Sequence, residues 1–399
     1  MQKILVICDR IPPEHSATGK IAFSIAKELS KHSQVFLVCL TSKKMKYENE
    51  RITIDTYTDR YGQYQEKVQT ALNSFGFNKT FRKVVYHVYY YWAKKKGFSS
   101  VNSHENQLKK KCREIIVAND IDTILSVSNP FDCHKIASSL VQSNSKLRWY
   151  AYMMDSNRNN AVSAGCRDEE IHVFRNVKKI FIMPALLNDN DFLKDFEGKF
   201  SVLNLPIIPM KCKNGHVNDT SDIVFIYAGM FYREIRNPKH LLDLFTKLPQ
   251  NYVLHLYSKG CEDIVKEYQT ILGRRLQVKG FIVIDELEKR ISEANILVNI
   301  GNTVNNQVPS KVYESIAFGK PILNLFQRQD DISVQHLTKY PVFLNLPYGK
   351  VNTNELADVV QWCEKVRNVI LDYDEATKYL PENRLDNIVK VLETDLLGK

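Results

Sequence analysis

The chain has 399 residues, 44% hydrophobic and 25% charged, with a net charge of +10. That is the make-up of a globular chain with room for two domains of roughly 150–200 residues each. The 15 glycines and 13 prolines are too few for a collagen-like or low-complexity chain. A mean hydropathy of −0.31, with no apolar run near the ~18 residues of a membrane-spanning helix, argues against such a helix. The eight cysteines include no Cys-x-x-Cys pair, and several lie in apolar runs, so neither a disulfide framework nor a metal site is expected.

In chain order, residues 3–8 form a short apolar run ended by Asp9, without a signal peptide's long apolar region or cleavage site. They read as the buried first strand of a cytoplasmic protein. An amphipathic helix at 19–31 carries Ile21, Ile25 and Leu29 on one face, and a second strand follows at 34–40.

Between Ser42 and Ile115 lie sixteen basic and seven acidic residues, so nearly all the net charge sits in under a fifth of the chain. Within this stretch Phe81, Val84, Val85, Val88 and Trp92 recur at helical spacing, with Arg82, Lys83, Tyr86, Tyr90 and Lys94 largely on other faces. A basic helix with Trp and Tyr suits an anionic membrane surface. The plainer reading is a core helix with solvated lysines. No zinc-finger, RNP or basic-zipper pattern points to nucleic acid.

Beyond it, strands at 122–127, 147–154 and 179–183 alternate with helices at 132–142 and 168–176. A polar stretch at 206–221 reads as a linker. The alternation then restarts, with strands at 223–228, 253–257, 276–278, 296–300 and 321–325 and helices between them. A last helical pattern, at 382–397, could cross back onto the first domain. Apolar strands alternating with helices predict parallel sheets covered on both faces. The expected organisation is an N-terminal domain at 1–205 with the basic aromatic insertion at about 42–115, a C-terminal domain at 222–380, and a terminal helix at 381–399. Two such domains in tandem imply a ligand cleft between them.

The most informative segment runs from Asn305 to Leu323. Pro309-Ser310 reads as a helix start, whose first backbone N–H groups lack internal partners. A hydroxyl and Lys311 in that first turn make an anion site suited to a diphosphate. Glu314 lies one turn on, on the same face, placed to accept hydrogen bonds from a ribose diol. The alternative is an amphipathic helix capped by a serine.

This segment resembles the nucleotide-binding signature of retaining GT-B glycosyltransferases of family 4, the glycosyl transferases group 1. Glu314 matches the second glutamate of the family's pair, and Gly319-Lys320-Pro321 matches the Gly-x-Pro that follows. The first glutamate falls on Asn306, where this chain departs from the usual pattern; the family also has a variant with Pro-Ser-Lys before the glutamate. The run Phe225–Pro238 resembles the strand, Gly229 and turn that open the family's C-terminal domain. Arg236 occupies the place of its diphosphate-gripping basic residue, with Arg233 a second candidate or a surface ion-pair partner. The loop 12–20, with Gly19 where many members carry two glycines, resembles the loop after the first strand, which faces donor phosphate and acceptor. Asp155, after the strand ending at Met154, is a candidate cleft carboxylate or a turn residue. His134 is expected to be structural, and Asp330-Asp331 to cap a helix.

The resemblance implies an α/β protein of GT-B fold, two Rossmann-like parallel-sheet domains facing across a cleft. It implies transfer of a sugar from a nucleotide diphosphate sugar, by default a UDP-sugar, with retention and without a metal or other cofactor. Asp155, Arg236 and Lys311 are the expected catalytic residues. Gly19, Gly229, Arg233, Arg236, Val308, Pro309, Ser310, Lys311 and Glu314 are the expected donor-binding residues. The basic aromatic stretch adds an expected acceptor, a glycan or polyprenyl-diphosphate-linked glycan at the inner membrane face, as in capsule or other cell-envelope polysaccharide synthesis. Two other readings stay open: a nucleotide-sugar epimerase of the same architecture, and a catalytically inactive GT-B partner protein.

Overall fold

The computed structural model describes residues 1–8, 10–11, 16–41, 47–49, 51–58, 100–128, 131–154, 167–210, 221–303, 310–349 and 352–398. Most of the basic aromatic stretch, 81–92 included, lies outside the described residues, as do Asp155, Val308 and Pro309. The chain divides into two compact units, one of Met1–Asn204 with Ile388–Lys399 and one of Leu205–Asn387.

The first unit contains β1 (Lys3–Cys8), α1 (Ala17–Leu29), β2 (Gln34–Thr41), β3 (Tyr47–Asn49), β4 (Ile52–Thr58), α2 (Ser100–Asn119), β5 (Thr123–Val127) and α3 (Asp132–Ser143). It continues with β6 (Arg148–Met153), α4 (Arg167–Val173), β7 (Lys179–Ile182), α5 (Asn190–Asp195) and β8 (Phe200–Val202). The strands form one sheet in the order β3-β4-β2-β1-β5-β6-β7-β8, parallel except where β3 runs antiparallel to β4. Ile4 to Cys8 are all fully buried, which explains the unbroken apolar run: a parallel strand covered on both faces has no polar side to show.

Helix α1 starts where Ser16 accepts a hydrogen bond from the Gly19 amide at 3.1 Å, satisfying one orphan donor of the first turn. Gly19 has a steric role there, because a Cβ on it would lie 1.8 Å from the Arg10 carbonyl oxygen.

In the core of this unit Trp149 Nε1 donates to Ser126 Oγ at 2.7 Å, and Ser126 Oγ bonds His134 Nδ1 at 2.7 Å. Phe131, Trp149 and Phe174 surround the His134 ring. Burial in this aromatic box pushes the imidazole down to about 3, so His134 is a neutral core residue.

The second unit contains β9 (Ile223–Met230), α6 (Lys239–Lys247), β10 (Tyr252–Lys259), α7 (Glu262–Leu272), β11 (Leu276–Val278), α8 (Ile284–Glu293) and β12 (Ile296–Ile300). Then come α9 (Ser310–Ala317), β13 (Ile322–Phe326), α10 (Ile332–Leu337), β14 (Phe343–Pro347), α11 (Thr353–Val366) and α12 (Tyr373–Thr377). Its sheet is parallel, in the order β11-β10-β9-β12-β13-β14. One face packs Phe225, Leu254, Val298 and Leu323 against α6, α7 and α11; the other packs Val224, Ile226 and Leu297 against Ile291 of α8. Helix α9 ends at Gly319, whose φ of +65° and close approach to the Leu371 carbonyl oxygen suit glycine alone.

The last helix, α13 (Leu385–Leu397), begins in the second unit and from Ile388 belongs to the first. There Tyr150 donates to the Asp395 carbonyl at 2.7 Å, Lys179 pairs with the Asp395 carboxylate at 2.6 Å, and Gln2 donates to the Leu396 carbonyl at 3.0 Å.

Both sheets have the doubly wound plan, in which the chain builds outward from one strand and then returns to build on its other side. The reversal falls between β1 and β5 in the first unit and between β9 and β12 in the second. At such a point the loops leaving the carboxyl ends diverge and open a crevice, where ligands of open α/β sheets bind.

Candidate functional site

The reversal point of the second sheet carries a pocket lined by Ile226–Ala228 of β9, 297–300 of β12, Leu287 and Ile291 of α8, Arg236, and Lys311, Glu314, Ser315 and Phe318 on or just after α9. Three residues singled out from the sequence, Arg236, Lys311 and Glu314, therefore meet in one place.

Arg236 is positioned by a turn that leaves β9. Tyr232 and Arg236 exchange backbone hydrogen bonds of 3.1 and 2.8 Å across it. The loop after β12 holds the turn from outside, with Thr303 Oγ1 donating to the Glu234 carbonyl at 3.2 Å. Gln327 Nε2 donates to both the Ile235 and Gly301 carbonyls, at 2.8 and 2.7 Å. The half-buried guanidinium donates from Nη2 and Nε to Asn302 Oδ1 at 2.6 and 3.2 Å. Tyr227, stacked on Phe231 with ring centroids 4.6 Å apart, lies beside it. Burial raises the Tyr227 phenol to about 12, against the pull of the Arg236 charge, so it stays protonated. Arg236 thus has an amide and a phenol as neighbours and no carboxylate partner among the described residues. Its positive charge is oriented without being neutralised.

Lys311 stands in the first turn of α9, and its stem passes over Gly229. A Cβ on Gly229 would sit 3.2 Å from Lys311 Cε. The absent side chain at 229 is what lets the lysine lie against the end of β9. Glu314, three residues on, faces the same pocket. Neither Lys311 nor Glu314 has a hydrogen-bond or ion-pair partner among the described residues, although both are half-buried. The first turn of α9, whose N–H groups have no acceptor within the helix itself, adds the equivalent of about half a positive charge. Two cations, a helix N-terminus and one carboxylate are what a diphosphate joined to a diol requires.

The other sequence-selected residues are placed differently. Gly229 packs against Lys311, and Ser310 opens α9. Arg233, in the same turn as Arg236, is exposed and pairs with Asp263 at 2.6 Å without lining the pocket. Gly19 belongs to the first unit, at the start of α1 after β1. Asp155, Val308 and Pro309 lie outside the described residues. Sequence reasoning missed Asn302, Tyr227 and Asn299. Asn302 and Asn299 flank the end of a strand otherwise read only for its apolar run.

A larger cavity of about 480 Å³ opens on the other side of α8, lined by His255, Tyr257, Lys279 and Arg290 among others. Arg290 is already paired there with Glu286 and Glu293, at 2.6 and 3.1 Å. This cavity lies away from the strand reversal and its Lys279 is exposed, whereas Lys311 and Glu314 of the smaller pocket are half-buried.

No protein-family profile matches the chain, and no curated protein matches it in sequence. Solved structures do match over its full length. HepE of Anabaena, in complex with UDP and glucose, aligns with a TM-score of 0.59 and 12% identity, covering 100% of both chains. Sucrose-phosphate synthase of Thermosynechococcus elongatus aligns with a TM-score of 0.63 and 12% identity, covering 100% of this chain and 99% of that one. An α,α-trehalose-phosphate synthase (UDP-forming) of Burkholderia xenovorans, in complex with glucose-6-phosphate, aligns with a TM-score of 0.61 and 11% identity, covering 99% and 100%. At such identities the likeness is one of architecture. The two doubly wound parallel-sheet units are those of the GT-B fold.

Proposed function

We propose that this protein is a glycosyltransferase that takes a sugar from a nucleoside diphosphate sugar, by default a UDP-sugar, bound at the strand reversal of the second unit. The observation that carries the reading is the meeting of Arg236, Lys311 and Glu314 in one pocket, with Lys311 and Glu314 unpaired among the described residues. The solved UDP complex of the HepE structure supports the choice of nucleotide.

Breaking the bond between the anomeric carbon and the phosphate oxygen places negative charge on the departing diphosphate. Arg236, Lys311 and the α9 amides supply the positive potential for it, the role a divalent cation plays in other designs. The Tyr227 phenol, held protonated, keeps a competing negative charge away from Arg236. We favour a front-side displacement with retention. The acceptor oxygen bonds the anomeric carbon on the face the phosphate leaves, and the phosphate oxygen takes the acceptor's proton. Glu314 holds the ribose diol. By the family resemblance, Gly19 and its loop face donor phosphate and acceptor, and Asp155 joins Arg236 and Lys311 as a catalytic residue. The acceptor is a glycan or lipid-linked glycan of the cell envelope, and the basic stretch holds the protein at an anionic membrane surface.

The test is thermal shift of the full chain against UDP, GDP, ADP and CMP, repeated with Glu314→Ala. A nucleotide at about 100 times its dissociation constant stabilises by roughly 2.7 kcal/mol, a shift of a few degrees. One nucleoside diphosphate should produce that shift in the wild type and a much smaller one in the variant. No shift with any nucleotide would move the assignment to an inactive partner protein. Conversion of the nucleotide sugar without added acceptor would move it to an epimerase.

A further inference from the structure

One face of the second sheet carries a row of amides where aliphatic side chains would be cheaper to bury. Asn299, Asn324 and Asn345 are in register on β12, β13 and β14. Asn299 Nδ2 donates to Asn324 Oδ1 at 2.7 Å, and Asn324 Nδ2 donates to Asn345 Oδ1 at 2.8 Å. Asn324 is fully buried and Asn299 nearly so. Their strand neighbours Val298, Ile300, Leu323 and Leu325 fill the hydrophobic core on the opposite face. Buried amides stabilise nothing unless they are bonded, so a row of three has to be complete to be tolerated.

The row has a direction. Each amide gives an N–H to the next, and turning any one of them would set N–H against N–H or oxygen against oxygen. With the row running in this sense, the bonds hold the amide at its start in one orientation. Asn299 keeps its carbonyl oxygen and one N–H unbonded among the described residues, and it lines the pocket with Arg236, Lys311 and Glu314. The pocket's cations serve phosphate oxygens. The fixed amide instead offers a neutral acceptor beside Leu297, which suits a different part of a ligand.

We propose that Asn299 is a specificity-determining contact whose carbonyl oxygen accepts a hydrogen bond from the nucleoside portion of the bound nucleotide, an N–H of the base or an O–H of the ribose. Asn324 and Asn345 are positioning residues that hold its amide in that orientation. This rests on the nucleotide-binding reading of the pocket.

Calorimetric titration of the full chain with UDP, GDP, ADP and inorganic pyrophosphate separates the two. Asn299→Leu should weaken the preferred nucleotide about tenfold, the effect of one lost hydrogen bond, and leave pyrophosphate within about twofold. Asn324→Leu, which touches no ligand, should weaken the nucleotide about threefold and also spare pyrophosphate. Should either variant fail to fold, Asn345→Leu, at the half-buried end of the row, carries the test with the same expected direction. A 2′,3′-dideoxy analogue distinguishes the sources: a discrimination by Asn299 that survives it points to the base, and one that disappears points to the ribose. Unchanged nucleotide affinity in both variants overturns the proposal and leaves the nucleotide site standing. Equal losses for nucleotide and pyrophosphate overturn it too, because the row would then only hold the sheet together. Wild-type protein that binds neither ligand removes the nucleotide site itself.

Discussion

Each unit sets polar side chains against its parallel sheet, and the two do so with opposite consequences. In the first, Trp149, Ser126 and His134 bond one another, and the remaining atom, His134 Nε2, is sealed among aromatic rings. In the second, Lys311 and Glu314 have no partner among the described residues, and they line a pocket open to solvent. An unsatisfied polar atom in a closed box is a stability cost. Charged groups left unpaired in an open pocket are capacity for a ligand. The contrast separates a core histidine from a binding lysine better than residue type does.

The sharpest way to break the comparison is to remove the open charges. Arg236→Ala and Lys311→Ala should each lower kcat/KM for sugar transfer about 10²–10³-fold, the usual loss when one stabiliser of developing charge is deleted. Their melting temperatures without ligand should stay near that of the wild type, since neither side chain closes an ion pair among the described residues. A large fall in melting temperature with unchanged kcat/KM would put both residues in the scaffold instead.

The closed network makes a prediction of opposite kind, in stability rather than activity. The folded pKa of His134 is about 3, against an ordinary value of 6.5. The unfolded chain therefore takes the proton first. This contribution is intact above pH 6.5 and is lost as pH falls from there toward 3. At pH 5 the loss is about 2 kcal/mol, from 1.5 pH units at about 1.4 kcal/mol each. Urea unfolding midpoints at pH 7 and pH 5 measure it. In His134→Gln, which does not titrate, the gap between the two midpoints should shrink by about that amount. A gap that does not change would mean the imidazole is protonated in the folded state.

How much of this was legible in the sequence depended on which faces an element buries. Strands covered on both sides, such as Lys3–Cys8 and Ile296–Ile300, were evident as plain apolar runs. Strand β4, Ile52–Thr58, lies inside the stretch read as a basic insertion, yet pairs in register with β2 from Val35↔Ile52 onward. Its alternating Ile, Thr and Asp was hidden by the surrounding lysines. Strand β14 and helix α11 also went unread, because Phe343–Pro347 is only partly buried and α11 buries few residues. Asp331 was legible as a cap, and its carboxylate accepts from the Ser333 amide at 2.8 Å. In the site, Lys311 and Glu314 stood out because helix spacing fixes which residues share a face. The Asn299 row was invisible, since one asparagine in each of three strands becomes a feature only when register brings them together.

Arg233 gives the smallest and most discriminating prediction. It sits three residues before Arg236 in the same turn, and the sequence offered both as grips for a diphosphate. The fold points them to different surroundings, Arg236 to an amide and the pocket, Arg233 to Asp263 in solvent. Hydrogen bonding to Asp263 raises the Arg233 pKa, which leaves its charge unchanged at any working pH. Because that carboxylate already answers the charge, Arg233 adds little net potential at the site, and exposed pairs contribute little to stability. Arg233→Ala should therefore leave nucleotide affinity within about twofold and the urea midpoint nearly unmoved, a surface substitution within about 0.5 kcal/mol. If it weakened binding as strongly as Arg236→Ala, the turn would have to rearrange on binding and release Arg233 from Asp263. Asp263→Ala would then strengthen nucleotide binding, and a titration of that variant beside Arg233→Ala decides between a fixed turn and a moving one.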